Sequence, residues 1–209
     1  MPAVLDRLAG HYDIDRFVTA HGADGPYRIL IGCLLSLRTR DEVSFPATER
    51  LFRLARTPAA MLRLNAAEIA TTVFPVGFYR RKAEQILAIS LILIERHGGR
   101  TPSDLDTLLE LPGVGRKTAN LVVTLGFGLP GICVDTHVHR ISNRLGWVRT
   151  KTPDATEARL REILPARYWI PINEILVRHG QTVCHPVSPA CSRCPVADLC
   201  PRVGVSRSR

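Results

Sequence analysis

Lysine is almost absent from this sequence: only three of its 28 Lys and Arg residues are lysines, Lys82, Lys117 and Lys151. A composition bias toward arginine explains the shortage, but each remaining lysine is of interest because an amine can act as a nucleophile whereas a guanidinium cannot. Long apolar runs are also missing. The longest, ILAISLILI at residues 86–94, is shorter than the ~18 residues of a membrane span, and the N-terminus has no signal-peptide layout. We therefore expect a cytoplasmic protein with no membrane partner.

The chain has a large excess of basic residues. Its 209 residues carry a formal net charge of +9, with 28 Lys and Arg against 19 Asp and Glu. Such a basic excess indicates a polyanionic partner, most simply nucleic acid. The alternative is a basic protein kept soluble by its charge. With 45% hydrophobic and 22% charged residues, the chain is globular and long enough for one domain or two small ones.

Strand-like alternation is scarce, and apolar residues recur instead at helical spacing. The pattern predicts an all-α fold of about ten short helices. The predicted helices span residues 27–37, 41–55, 58–64, 66–74, 79–97, 104–109, 116–128, 136–145, 153–164 and 168–179. The predicted core face of the longest consists of Ala83, Ile86, Leu87, Leu91 and Ile94. Gly98 and Gly99 end that helix, and Ser103 is predicted to cap the next one.

The decapeptide LPGVGRKTAN, residues 111–120, places two glycines around one valine before a predicted helix. Gly113 and Gly115 can take positive φ and let the backbone approach a ligand closely. Amides at a helix N-terminus lack intrahelical partners, and the helix dipole favours an anion there. The stretch is therefore a candidate phosphate site, with an ordinary Pro-Gly turn between two core helices as the alternative.

Four of the six cysteines lie close together near the end of the chain, in the pattern C-x6-C-x2-C-x5-C. They are Cys184, Cys191, Cys194 and Cys200. So short a segment has little core and needs a cross-link. A cytosolic protein disfavours disulfides, and structural zinc usually takes two separate cysteine pairs, so the spacing favours an iron–sulfur cluster over zinc. Cys33 and Cys133 lie in apolar stretches and are expected in the core.

Four segments together resemble the endonuclease III family of helix-hairpin-helix DNA glycosylases. They are LPGVGRKTAN, VDTHVHR, VGFYRRKAEQI and the four-cysteine pattern. The resemblance covers nearly the whole chain, from about Tyr27 to Cys200, and it is most specific at the cysteines and least specific at the hairpin alone.

The resemblance implies a two-lobed all-α fold. Residues 24–130 would form a six-helix barrel domain, with the helix-hairpin-helix at about 104–127. Residues 1–23 and 131–209 would form an iron–sulfur domain, in which the four clustered cysteines of the loop 184–200 hold a [4Fe-4S] cluster.

The resemblance also implies a base excision repair enzyme. It would bind double-stranded DNA that contains damaged bases or abasic sites, remove oxidised pyrimidines and cut the abasic strand by β-elimination. Lys117 would be the nucleophile that forms a Schiff base with the sugar. Asp135, which also suits an N-cap, would be the second catalytic residue and stabilise the cationic sugar. We expect a monomer that associates with the nucleoid through DNA.

The expected DNA contacts lie in several segments. Backbone contacts to phosphate are expected at Gly113, Val114, Gly115 and Arg116. Side-chain phosphate contacts are expected from Arg80, Arg81 and Lys82. Phe78 or Tyr79 would enter the gap left by the flipped base, with packing against the barrel as the alternative. His137 is expected to pack near the active cleft.

At Arg38 the chain departs from the family, which often has Gln there to fill the void opposite the flipped base. Arg38 would read the orphan base, favouring guanine, or would narrow damage recognition. Cys33 stands roughly where related adenine glycosylases carry a catalytic Glu, which argues against adenine removal. Two alternatives stay open: a monofunctional or narrow glycosylase for mismatched or alkylated bases, and a non-catalytic module that binds DNA structure.

Overall fold

The computed structural model describes residues 1–14 and 25–209, and every regular element in that part of the chain is helical. The predicted all-α class is therefore confirmed. The α-helices are α1 Pro2–Tyr12, α2 Pro26–Ser36, α3 Asp41–Leu54, α4 Pro58–Met61, α5 Ala66–Val73, α6 Tyr79–His97, α7 Leu105–Leu109, α8 Arg116–Leu121, α9 Thr136–Arg144, α10 Pro153–Ile163 and α11 Ile172–Thr182. Among the described residues, no helix has both the length and the apolar character needed to span a bilayer.

The described residues form two compact units, one of residues 25–129 and the other of residues 1–14 with 130–209. In the first, α2 packs on α3 and α8, and α6 packs on α4 and α5. In the second, α11 packs on α1 and α9, and α9 packs on α10. The domain boundary predicted between residues 23 and 24 lies outside the described residues.

Each unit has a core of its own. The first buries, among others, Leu30, Ile31, Leu34, Leu51, Ile69, Ile86 and Leu93. The second buries Leu5, Leu8, Ile132, Val138, Leu160, Ile172 and Leu176. Because full burial of one such side chain contributes about 1.5–3 kcal/mol, these clusters are the main source of stability in each unit.

The longest helix, α6, buries a face that overlaps the predicted one only in part. Ala83 and Ile86 are buried as expected and Leu87 is partly buried, but Leu91 and Ile94 are exposed. The buried face instead includes two polar residues, Lys82 and Ser90, and the Ser90 hydroxyl donates to the Ile86 carbonyl at 2.7 Å. Ile89 and Leu93 complete the buried face, which is turned about the helix axis from the predicted one.

Two helix starts also differ from the prediction. Asp104, not Ser103, caps α7, because an Asp104 carboxylate oxygen accepts the Thr107 N–H at 2.8 Å. The last helix begins at Ile172 rather than at residue 168, since Ala166–Tyr168 form a separate 3₁₀ turn. Both differences arise at caps and turns, where helix boundaries are hardest to read from sequence.

The helix after the hairpin changes its pitch. The predicted single helix over 116–128 is α-helical over Arg116–Leu121 and π-helical over Val122–Gly126. The Thr124 hydroxyl donates to the Asn120 carbonyl at 2.7 Å, and such side-chain bonds compete with regular helix bonds.

Candidate active site and cluster-binding loop

The turn between α7 and α8 is built around one glycine in the left-handed region. Gly113 has φ +81°, and a Cβ there would lie 2.5 Å from the Gln85 Nε2 atom. The next residue, Val114, is buried, and its N–H donates to the Leu111 carbonyl at 3.1 Å. This bond closes the turn, and the contact of the Val114 amide with phosphate stays a prediction.

Gly115 differs from Gly113 in its backbone conformation and in the space around it. Its φ of −101° and ψ of 174° are extended values, so Gly115 does not use the positive φ that glycine allows. A Cβ at Gly115 would meet no atom within 4 Å, which leaves open space beside the first turn of α8. Gly115 is the N-cap of α8 and supplies no side-chain cap bond. Because a helix N-terminus attracts anions, this open space suits an approaching phosphate.

Lys117 is exposed on the first turn of α8, two residues after Gly115, and follows the half-buried Arg116. Cys33 lies on the neighbouring helix α2. Burial raises the pKa of the Cys33 thiol to about 11, and the positive charge of Lys117 opposes that shift. The Lys117 ammonium is therefore near Cys33, at the edge where α2 packs on α8.

Asp135 forms the N-cap of α9. Its Oδ1 accepts the N–H of His137 at 2.8 Å and the N–H of Val138 at 2.9 Å, and the residue is 9% exposed. Asp135 belongs to the unit that contains residues 130–209, whereas Lys117 belongs to the other. Since both cap bonds go to Oδ1, the second carboxylate oxygen takes no part in the cap.

His137 is held by its neighbours on two helices and a loop. Its Nδ1 is 3.1 Å from Nη2 of Arg140, and the same guanidinium nitrogen donates to the Cys184 carbonyl at 2.9 Å. Helix α11 approaches so closely that a Cβ at Gly180 would lie 2.2 Å from His137 Nδ1. The contact of His137 with DNA stays a prediction.

Two turns contain non-glycine residues in the left-handed region. Arg38, after α2, has φ +53°, and Phe78, before α6, has φ +58°. The Arg38 guanidinium carbon lies 5.8 Å from the centre of the Phe78 ring, and Phe78 is 60% exposed. The structure thus brings these two candidates together as a stacked cation–π pair, called the Arg38–Phe78 pair below.

The residues after Phe78 differ in how far they are free to contact DNA. Tyr79 is half-buried and packs edge-to-face on Phe74, with ring centres 5.4 Å apart. The Arg80 guanidinium carbon lies 5.1 Å from the centre of the Tyr79 ring. Arg80 and Arg81 are exposed, so both remain candidates for phosphate contact. Of the two aromatic candidates, Phe78 presents the exposed ring.

The structure contradicts the prediction of Lys82 as a phosphate contact. Lys82 is 4% exposed, and its Nζ donates to the carbonyls of Leu35 at 2.9 Å and Leu37 at 2.6 Å and to Thr39 Oγ1 at 3.3 Å. Burial lowers the pKa of Lys82 to about 8, while the three acceptors favour the ammonium form. An ammonium enclosed by these groups does not reach a DNA backbone. Nothing in the local sequence marks Thr39 as its partner.

All four clustered cysteines line one cavity. The other lining residues include the apolar Ile141, Leu145, Val183 and Val196. Nη1 of Arg144 donates to Cys184 Sγ at 3.4 Å, and Nε2 of His179 is 3.8 Å from Cys194 Sγ. Sequence reasoning missed Arg144 and His179, because helix positions 40 and 15 residues away carry no local signal of this contact.

These residues fit an iron–sulfur cluster. Four thiols around one largely apolar cavity are the donor set that a [4Fe-4S] cluster takes. Burial raises the pKa of the Cys194 and Cys200 thiols, so thiolates here need nearby positive charge, which iron and Arg144 would supply. In the part of the chain that the structure describes, no three His, Cys, Asp or Glu side chains are gathered around a site for one metal ion.

Comparison with known proteins gives two family matches. Residues 31–166 match the HhH-GPD superfamily base excision DNA repair protein family, and residues 184–200 match the iron-sulfur binding domain of endonuclease III. The chain is 47% identical over 187 residues to Endonuclease III of Thermotoga maritima. This match covers 90% of this chain and 88% of that protein. Endonuclease III of Escherichia coli K12 is 40% identical to it over 175 residues, and the match covers 84% of this chain and 83% of that protein.

The fold matches as well. A trapped Endonuclease III–DNA covalent intermediate, in an estranged-adenine complex, superimposes with a TM-score of 0.84 at 34% identity and covers 96% of this chain and 94% of that chain. The resemblance predicted from the sequence and the cluster-binding loop are therefore confirmed. The sequence relatives and the superimposed structure extend over most of both units, and the chain belongs to the endonuclease III family of base excision repair enzymes, which are DNA glycosylases with AP lyase activity.

Proposed function

We propose that Lys117 is the nucleophile with which this protein removes an oxidised pyrimidine and opens the abasic strand. The observation that carries the assignment is the exposure of Lys117 on the first turn of α8, just after the open space at Gly115. Of the other two lysines, Lys82 is enclosed by carbonyls. Lys151 is exposed but follows no glycine turn. Lys117 is thus the one lysine in the chain beside a structure suited to a DNA phosphate.

The proposed phosphate site lies at the start of α8. Gly113 gives the turn its left-handed residue, and Gly115 leaves the approach open. The N-terminal end of the helix adds a favourable dipole. A phosphate held here would place the neighbouring sugar beside Lys117, which converts an encounter between amine and sugar into a positioned reaction.

The chemistry requires a nucleotide outside the base stack, because the glycosidic bond is hidden inside a duplex. The Lys117 amine attacks C1′, a C–N bond forms, and the glycosidic bond breaks as the base leaves with its electron pair and takes up a proton. Ring opening gives a protonated Schiff base. Loss of the C2′ proton then expels the 3′ phosphate, which cuts the strand, and hydrolysis of the imine frees Lys117.

Asp135 is proposed as the second catalytic residue. One oxygen fixes the start of α9 through its two cap bonds. The carboxylate would stabilise positive charge that builds on the sugar as the base departs and exchange protons with the reacting groups. The cap holds the side chain in one orientation, so the same interaction serves the helix and the reaction.

The four cysteines that line the cavity are proposed as the ligands of the [4Fe-4S] cluster. When bound, the cluster supplies four iron–thiolate cross-links to a loop that has little core of its own. Arg144 supports this loop through its bonds to Cys184 Sγ and to the carbonyls of His185 and Pro186.

The partner is proposed to be double-stranded DNA with damaged bases or abasic sites, bound by one copy of the chain on the nucleoid of the cytoplasm. The net charge of +9 supports a polyanionic partner. The superimposed relative is itself a covalent complex with DNA.

Borohydride trapping tests the proposal. The cluster-loaded protein is incubated with a duplex that contains one thymine glycol, in the presence of borohydride, which reduces a Schiff base to a stable amine. A covalent adduct that maps to Lys117 is expected. Base release without an adduct would instead indicate a monofunctional glycosylase, and binding to abasic DNA without either product would indicate a non-catalytic module.

A further inference from the structure

The two turns of the Arg38–Phe78 pair are both strained. Arg38 and Phe78 take a left-handed conformation that side chains with a Cβ rarely adopt. Such residues persist only where the surrounding structure holds them, and they concentrate at functional sites. The question is therefore what holds these two turns.

The two turns are joined by direct contacts. The Gly77 N–H donates to Thr39 Oγ1 at 3.1 Å. A Cβ at Gly77 would lie 2.9 Å from the Arg38 carbonyl oxygen, so the two backbones touch where only glycine fits. The position of Phe78 is thereby tied to the position of Arg38.

Lys82 holds this junction from the buried side. Its ammonium bonds the Leu35 and Leu37 carbonyls at the end of α2 and the same Thr39 hydroxyl that accepts the Gly77 N–H. Helix α2 leaves these carbonyls without intrahelical donors at its C-terminal end. One buried side chain of α6 therefore supplies the donors that keep the chain in its turn around Arg38.

The product of these contacts is an exposed cation–π pair. The Phe78 ring is 60% exposed although it is apolar, and the Arg38 guanidinium lies over it. A flat ring and a planar guanidinium are the two side-chain types that stack on bases and hydrogen-bond guanine. Because both are presented from turns that cannot relax, they require little ordering when they meet DNA.

We propose that Lys82 is a positioning residue, which locks the Arg38 and Phe78 turns together so that the stacked pair enters the duplex as one rigid element and reads the orphan base. The proposal rests on the proposed function, since it needs a flipped nucleotide. Lys82 does not touch DNA and acts only through the two turns. Its effect should appear in steps that need an orphan base and be absent where the substrate has none.

The test compares two substrates. The first is a thymine glycol duplex with guanine or adenine opposite the lesion, and the second is a single-stranded abasic oligonucleotide, which has no orphan base. For Lys82→Met, with the exposed Lys151→Met as control, we expect about a tenfold slower single-turnover excision from duplex and a loss of the preference between guanine and adenine. Lyase activity on the single strand should stay within about twofold. Equal losses on both substrates would contradict positioning.

Thr39 gives an independent test that avoids a large change in the core. Thr39→Val removes the hydroxyl that bridges Lys82 and Gly77, and Thr39→Ser keeps it. We expect Thr39→Val to reproduce the slower excision from duplex DNA and Thr39→Ser to excise at the wild-type rate. Wild-type behaviour of both Thr39→Val and Lys82→Met would overturn the proposal.

A double-mutant cycle shows whether Lys82 acts through the pair. In an Arg38→Ala background, Lys82→Met should cause no further loss of opposite-base preference, because coupled residues are not additive. Additive losses would refute the coupling. The proposed function fails by a different result, in which wild-type protein forms no borohydride adduct on either substrate.

Discussion

The hairpin turn before Lys117 and the two turns of the Arg38–Phe78 pair both use left-handed residues, but they are stabilised in opposite ways. In the hairpin the left-handed residue is Gly113, and the closing bond joins residues only three apart. In the pair the left-handed residues carry side chains, and the bond from Lys82 to the Leu35 carbonyl spans 47 residues of chain. The hairpin is therefore determined locally, whereas the pair depends on tertiary contacts.

This difference suits two different tasks. A phosphate has the same chemistry beside every nucleotide, so a local turn with open space at Gly115 would be sufficient for the proposed phosphate site. An orphan base differs between sites, and reading it requires side chains with a fixed orientation. In our proposal, the buried contacts of Lys82 fix that orientation for Arg38 and Phe78.

Lys117 gives the largest expected effect at the hairpin. Lys117→Arg keeps the charge but cannot form a Schiff base, so single-turnover strand cleavage should fall by roughly 10³-fold or more and borohydride should trap no adduct. Lys151→Arg, at an exposed lysine, is the matched control and should keep both the strand cleavage rate and the borohydride adduct of the wild type. An undiminished adduct with Lys117→Arg would move the nucleophile elsewhere.

Asp135, like the hairpin, has a conformation fixed by neighbouring residues. Substitutions there can distinguish its role as a helix cap from its role in catalysis. Asparagine caps a helix as well as aspartate does, so Asp135→Asn should lower the excision rate by about 10²- to 10³-fold with an unchanged melting temperature. Asp135→Ala should also lose about 1 kcal/mol of stability. Single-turnover kinetics and thermal unfolding measure the two effects. If Asp135→Asn kept wild-type excision, Asp135 would be a cap alone.

Gly115 tests the open space at the hairpin. A methyl group there meets no protein atom within 4 Å, but alanine is a poorer N-cap than glycine, so Gly115→Ala should lower the free energy of unfolding by no more than about 1 kcal/mol. It should weaken binding to abasic duplex about tenfold and reduce the salt dependence by about one phosphate contact. Fluorescence anisotropy at several salt concentrations measures both. Unchanged binding would place the phosphate away from Gly115.

Features with a local physical cause could be predicted from the sequence. Glycine tolerates positive φ, which predicts the tight turn at Gly113, and an aspartate side chain suits a helix start, which predicts the N-cap at Asp135; both hold in the structure. The spacing of the cysteines likewise pointed to one shared group, and all four line one cavity.

Features decided by distant partners could not be predicted. A lysine in a basic segment is normally solvated, and only the carbonyls at the end of α2 explain why Lys82 is buried. The core face of α6 is a related case, since the buried Ser90 hydroxyl lies 2.7 Å from the Tyr27 hydroxyl on α2. The stacking of Arg38 on Phe78 is a third case, since 40 residues separate them.

The smallest effects give the most direct comparison of the two kinds of turn. Gly113→Ala puts a Cβ on a left-handed residue beside Gln85, which should cost about 1–2 kcal/mol of stability. At Phe78 the same preference is expected: Phe78→Gly and Phe78→Ala both remove the ring, but only glycine relieves the strain, so Phe78→Gly should be more stable than Phe78→Ala by about 1 kcal/mol. Urea unfolding of the three variants measures these differences. If Phe78→Ala were the more stable of the two, the turn would not be strained, and the argument that tertiary contacts hold it against its own preference would fail.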